Sequence, residues 1–179
     1  MRKLVYYVAT SLDGYISGPN DAVDKFVAEG PLVEQYLKDL QEFDTVIMGR
    51  KTYEFGYEYG MQPGQPAYPH MLHYIFSDSL VLDNPHSQMQ VVGHDAALVK
   101  QLKAEEGTDI YLCGGGIFAG WLLDLGLIDV LKIKLNPIVL GAGTPLFGPS
   151  KTSPLLELMA SQEFDGGVSL RTYGIRYEK

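Results

Sequence analysis

The chain carries a single cysteine, Cys113, among its 179 residues, so no intrachain disulfide can form. That usage suits a reducing compartment. Nowhere is an apolar run long enough to cross a bilayer. The N-terminus offers Arg2 and Lys3, then a short apolar stretch broken at Asp13, too brief and too polar for a secretory signal. A soluble cytoplasmic protein is expected. Positive charge is also scarce: 14 Lys and Arg stand against 22 Asp and Glu, a net charge of −8. A nucleic-acid binder needs a basic face to displace phosphate counterions, and an anionic membrane makes the same demand, so neither is an expected partner. An anionic ligand held in a local pocket stays open. The histidines His70, His73, His86 and His94 show no ligand spacing, and no metal is expected. Repeats, low-complexity tracts and linkers are missing too. The reading is one domain over residues 1–179, with 46% hydrophobic residues to build its core.

What is present centres on Ile110-Tyr111-Leu112-Cys113-Gly114-Gly115-Gly116-Ile117-Phe118. An apolar, β-favouring run stops at three glycines, and Phe118, Trp121, Leu122, Leu123 and Leu125 continue at helical spacing. That is a strand, a turn without Cβ atoms and a helix. Glycines let a ligand reach main-chain N–H groups, and a helix N-terminus attracts phosphate. A dinucleotide pyrophosphate seat and a plain strand-to-helix turn are both open here, because a glycine triplet is not the full dinucleotide fingerprint. Cys113 reads either as a buried structural thiol or as a nucleophile.

Leu4 to Thr10 is apolar on both faces, as a central buried strand is. In the loop from Ser11 to Asn20, Asp13 is either a ligand contact or a turn former. A helix is expected from Pro31 to Phe43, with Leu32, Val33, Tyr36, Leu37, Leu40 and Phe43 inward. Glu34, Lys38, Asp39, Gln41 and Glu42 take its outer face, and Glu34, in the first turn, is the one placed to face a cleft. Asp44 to Met48 is a strand ending at Gly49-Arg50-Lys51-Thr52, where two cations and a hydroxyl beside a helix start either hold phosphate or simply decorate a capped helix. Gly56 to Pro69 is an irregular loop whose Tyr57, Tyr59 and Tyr68 line a pocket or pack the loop down. His73 to Phe76 is a strand running into Ser77-Asp78-Ser79; Met89 to Val92 is another, and Ala96 to Lys103 a helix. Val130 to Leu135 alternates as a strand, with Val139-Leu140 a short strand beyond it. The segment near Leu156 to Phe164 and the run Val168 to Tyr177 form an antiparallel hairpin around Asp165-Gly166-Gly167. Alternating strands and helices predict an α/β fold: a central, mostly parallel sheet flanked by helices on both faces, with a C-terminal antiparallel hairpin.

Four motifs in order carry a resemblance: Ser11-Leu12-Asp13-Gly14-Tyr15-Ile16, Val46-Ile47-Met48-Gly49-Arg50-Lys51-Thr52-Tyr53-Glu54, Cys113-Gly114-Gly115-Gly116, and Asn136-Pro137-Ile138-Val139-Leu140-Gly141-Ala142-Gly143-Thr144-Pro145-Leu146-Phe147. Together they resemble the dihydrofolate reductase-like superfamily, and within it the C-terminal reductase domain of the bacterial riboflavin-biosynthesis deaminase-reductase and its stand-alone relatives. The resemblance implies NADPH across the C-terminal ends of the central strands. Gly114, Gly115 and Gly116 would approach the pyrophosphate, with a cis Gly114–Gly115 bond. Gly49, Arg50, Lys51 and Thr52 match a second phosphate-binding turn, and Ser77 and Ser79 the adenosine end. Ala9 and Ile16 would bracket the nicotinamide; Ile117 and Phe118 would pack on the cofactor. Asp78 stands where relatives often carry a base, which admits NADH beside NADPH. Asp13 or Glu34 would orient or protonate the substrate, with Tyr7, Phe26, Tyr53 and Tyr57 as pocket walls. The activity implied is hydride transfer to a small cyclic substrate, as in 5-amino-6-(5-phosphoribosylamino)uracil reductase. Dihydrofolate reduction and non-catalytic dinucleotide binding are the alternatives. A homodimer is the implied assembly.

Overall fold

A computed structural model describes residues 1–178. Ten strands and four α-helices follow in chain order. The strands are β1 Leu4–Thr10, β2 Tyr15–Ser17, β3 Thr45–Gly49, β4 Leu72–Phe76, β5 Met89–Val92, β6 Ile110–Gly114, β7 Val130–Leu135, β8 Thr144–Pro145, β9 Leu155–Glu163 and β10 Ser169–Arg176. The helices are α1 Pro31–Leu40, α2 Arg50–Phe55, α3 Ala96–Ala104 and α4 Gly116–Asp124. Eight strands make one sheet in the order β5-β4-β3-β6-β1-β7-β10-β9, while β2 and β8 pair separately. From β5 to β7 every pairing is parallel; β10 runs antiparallel to β7 and β9.

The continuous apolar run of β1 follows from its central place. Leu4 and Tyr6 pack with Val99 and Leu102 of α3 and Phe118 and Leu122 of α4. Val5 and Tyr7 point the other way, into a layer with Leu32 and Leu40 of α1 and Tyr53 of α2. A parallel strand covered on both faces has no polar side to show. The crossovers bring the C-terminal ends of β1, β3, β4 and β6 to one edge, where α/β sheets bind ligands.

Three local expectations are corrected. Helix α1 ends at Leu40 rather than Phe43, because the N–H groups of Gln41, Glu42 and Phe43 donate three residues back and tighten the chain into a turn. Asp39 is not on the outer face but buried, two turns from the core residue Leu32. Val139-Leu140 forms no strand: the Asp13 carboxylate accepts the Leu140 and Gly141 N–H groups, and the short strand is Thr144–Pro145 instead.

Candidate functional site

A cleft of about 560 Å³ opens along the C-terminal ends of these strands, within the usual size for a small-molecule site. Its floor is the turn from β6 into α4. The Gly114–Gly115 peptide is cis, and Gly114 has φ +140°. Gly115 precedes α4 without a side-chain cap, and the first intrahelical acceptor, its carbonyl, takes the Ala119 N–H. The N–H groups of the first turn are thus free to meet a ligand. A Cβ on Gly115 would stand 3.1 Å from Thr52 Oγ1 across the cleft floor. Gly116 answers a different need: its Cβ would fall 2.2 Å from the Pro145 carbonyl oxygen, so its bare backbone serves close packing.

Gly49, Arg50, Lys51 and Thr52 line one wall, at the β3–α2 turn. Arg50 Nε donates to Glu54 at 2.8 Å and its Nη1 to Ser79 Oγ at 3.0 Å. Ser77, Asp78 and Ser79 continue this wall beyond β4. Ser77 Oγ accepts the N–H groups of Ser79 and Leu80, which fixes the turn. His94, just past β5, faces Asp78 with Nδ1 2.9 Å from Oδ2, and its own N–H donates to Oδ1. These bonds hold the Asp78 carboxyl below its ordinary range, the backbone N–H first. Behind them Phe76 and Phe118 lie 4.8 Å apart, and Trp121 stacks on Phe118. Val8, Ile16, Cys113 and Ile117 close the near end, and Ile117 keeps 67% of its surface exposed there.

Several expected contacts fall elsewhere. Val8 lines the cleft, not Ala9, because alternate side chains of β1 leave opposite faces of the sheet. Gly114 is buried against Thr52 and does not reach the cleft. Asp13 is exposed and pins the 140–141 backbone; its carboxyl falls to about 2, through the Ser11 hydroxyl first and then the Gly141 N–H. Glu34 is exposed on the outer face of α1 and outside the cleft. Tyr53 bonds the Gly64 N–H and the Gln65 carbonyl, packing the 56–69 loop down with Tyr57 against it. Neither of these tyrosines, nor Tyr7 or Phe26, lines the cleft.

Beside Cys113 lies a second group that sequence reasoning did not assemble. Tyr36 and Tyr111 share a 2.6 Å hydroxyl bond, and Tyr68 Oη is 3.6 Å from Cys113 Sγ. Burial pushes the Cys113 thiol and the Tyr68 and Tyr111 phenols up. Lys134 Nζ sits 3.3 Å from the centre of the Tyr36 ring, and burial brings its ammonium down to about 8. On α1, Asp39 accepts from Tyr7, Gln35 and Lys132. The seven-residue spacing of Leu32 and Asp39, two helical turns, was the available signal for Asp39. For His94 it was the position just past a strand end. Among the described residues no group of three or more His, Cys, Asp or Glu could hold a metal ion. No helix among them is long and apolar enough to cross a membrane.

Residues 2–170 match the family model described as RibD C-terminal domain. The YwjB protein of Bacillus subtilis (strain 168) is 32% identical over 174 residues, 94% of this chain and 96% of that one. The YyaP protein of the same organism is 29% identical over 177 residues, 93% and 92% of the two chains. Both relatives are described as uncharacterized. A solved protein from Shewanella sp. PV-4, named for riboflavin biosynthesis, superposes with a TM-score of 0.80 at 23% identity, covering 98% of this chain and 99% of its own. The bifunctional deaminase and 5-amino-6-(5-phosphoribosylamino)uracil reductase of Thermotoga maritima gives 0.70 at 13%, covering 97% of this chain and 56% of that one. A dihydrofolate reductase from Enterococcus faecalis, complexed with NADP(H), gives 0.65 at 16%, covering 97% and 96%. At these identities the structural likeness is one of fold.

Proposed function

The chain belongs to the family of RibD C-terminal domains, and we propose that it is an NADPH-dependent reductase of a small cyclic substrate, akin to 5-amino-6-(5-phosphoribosylamino)uracil reductase. One observation carries the reading: the unobstructed α4 N-terminus and Gly115 meet Thr52 on the floor of a cleft of about 560 Å³. Bound there, the cofactor would supply the hydride; the protein supplies binding, orientation and exclusion of water. The N–H groups of the first turn of α4, with Thr52, would hold the pyrophosphate. Arg50, Ser77, Ser79 and His94 would take the adenosine end, and Val8, Ile16 and Cys113 would shield the reacting end. The exposure of Glu34 favours this reading over dihydrofolate reduction, for which Glu34 was the candidate acid.

Asp78 bears on the choice between NADPH and NADH. A free carboxylate repels a 2′-phosphate, but here His94 and its N–H engage it while Arg50 stands beside Ser79. The reading is therefore NADPH over NADH. A second copy of the chain is the proposed partner. The edge strand β9 is exposed along its whole length, with Leu155, Leu156, Leu158 and Met159 bare. Its acids Glu157 and Glu163 are already met by Arg176 and Arg171. An apolar edge without free charge fits its own two-fold copy.

Titration of Trp121 fluorescence with NADPH and NADH in parallel tests the cofactor reading, because the indole stacks on Phe118 of the cleft wall. Saturable binding is expected, tighter for NADPH, with the preference rising severalfold in Asp78→Asn. Absence of binding by either dinucleotide at millimolar concentration overturns the reading.

A further inference from the structure

The sheet face beneath α1 carries a row of side chains set by register. Val5 pairs with Tyr111 on one side and Val130 on the other, Tyr7 with Lys132, and Ala9 with Lys134. Alternation then puts Cys113, Tyr7, Ala9, Lys132 and Lys134 on that one face. The two lysines fare differently. Lys132 is neutralised by Asp39 at 2.6 Å. Lys134, nearer the strand ends where the cleft opens, has no ion pair and no hydrogen bond from Nζ among the described residues; its contacts are the Tyr36 ring at 3.3 Å and the Tyr7 ring at 5.8 Å. Ring faces offset only part of the cost of removing an ammonium from water. Nor is Lys134 sealed off: it is half-buried rather than buried. Ala9, with nothing beyond Cβ, stands between Lys134 and the Cys113 side of the sheet. Cys113 in turn lines the cleft.

We propose that Lys134 is the anion-binding side chain of the substrate compartment, and that the substrate is a flat ring bearing an anionic oxygen. The ring follows from the small cyclic substrate of the reductase reading, and the oxygen completes the pairing that Lys134 lacks. This rests on the reductase reading for the position of the compartment. Lys134 therefore sets substrate class, while Asp39 and Lys132 behind it anchor α1 over the compartment.

Equilibrium binding of 4-nitrophenol, followed by the visible absorption of its phenolate, tests this against nitrobenzene, its near-isosteric neutral counterpart. Wild type, Lys134→Met and Lys134→Gln are compared with and without saturating NADPH, with far-UV circular dichroism as the control for folding. Phenolate binding at least tenfold tighter than nitrobenzene is expected, with that advantage lost in both variants. Equal binding of the two probes, an advantage that survives in the variants, or no saturable phenolate binding by wild type at millimolar concentration overturns the proposal. Dinucleotide binding by wild type and variants, read through Trp121, separates the two failures. If it is absent the reductase reading falls, whatever the phenolate does; if it is present, failure of the wild type to bind phenolate counts against Lys134 alone.

Discussion

Lys132 of β7 and Asp39 of α1, 93 residues apart in the chain, meet with Nζ 2.6 Å from Oδ2. The same carboxylate accepts the Tyr7 hydroxyl at 2.9 Å and the Gln35 amide at 2.7 Å. Burial works against the charge of Asp39, but these donors, Lys132 first, still hold its carboxyl below the usual range. One side chain thus ties α1 to β1 and β7.

Removing it strands a cation and a hydroxyl. Asp39→Ala is expected to cost about 2–4 kcal/mol, the range for breaking a largely buried pair and leaving its partner uncompensated. Urea unfolding at neutral pH measures this. A loss below about 1 kcal/mol would show that the network contributes no more than a surface pair.

The glycines of the β6–α4 turn should separate by function. In Gly115→Val the added side chain enters the cleft beside Thr52, and dinucleotide affinity should fall at least tenfold, about 1.4 kcal/mol. In Gly116→Ala the new Cβ meets the Pro145 carbonyl at 2.2 Å, and the fold should lose about 1–3 kcal/mol or more through overpacking. Fluorescence titration and urea unfolding of both variants decide it. Unchanged affinity in Gly115→Val would refute the pyrophosphate seat.

His73 should make stability depend on pH. Its Nε2 accepts the Tyr68 N–H at 3.1 Å, so Nδ1 carries the proton that bonds the Met71 carbonyl at 3.0 Å. Both nitrogens are committed to the neutral ring, and burial drives the imidazole down to about 4. Its unfolded value is near 6.5, so the unfolded chain takes up a proton first on acidification. The contribution is complete above about pH 6.5 and is lost as pH falls toward 4, roughly 3 kcal/mol in all. Shifted aspartates act at lower pH. Unfolding between pH 7 and pH 4.5 should show this slope in wild type and a flatter one in His73→Gln. Equal slopes would remove His73 as the cause.

Strand β9 should govern assembly. Leu158 is 57% exposed on the sheet edge, so Leu158→Lys changes little within one subunit but places like charges together in a two-fold pairing. Light scattering is expected to give a dimer for wild type and a monomer for the variant, with unfolding midpoints at low concentration nearly equal. A wild-type monomer, or a variant that stays dimeric, rules out this edge as the interface.

Much of the fold was written along the chain. The two-faced apolar run of Leu4 to Thr10, the glycine stop after Cys113 and the strands Met89 to Val92 and Val130 to Leu135 need only neighbours in sequence, because period and turn chemistry act over a few residues. The order of those elements sufficed for a mostly parallel α/β sheet with a closing hairpin. Side-chain destinations were another matter. Asp39 looked like one more outer acid of α1, Lys134 like one more base on an alternating strand, and Glu34 like the acid nearest a cleft. Their roles depend on partners brought from distant parts of the chain: Lys132 and Tyr7 for Asp39, the Tyr36 ring for Lys134, and open solvent for Glu34. By itself the sequence determined which segments are strands and helices and where backbone stays bare. Only the tertiary structure decided which charges are paired, which face the cleft and which are left seeking a ligand, because desolvation and Coulomb energy depend on distances in space.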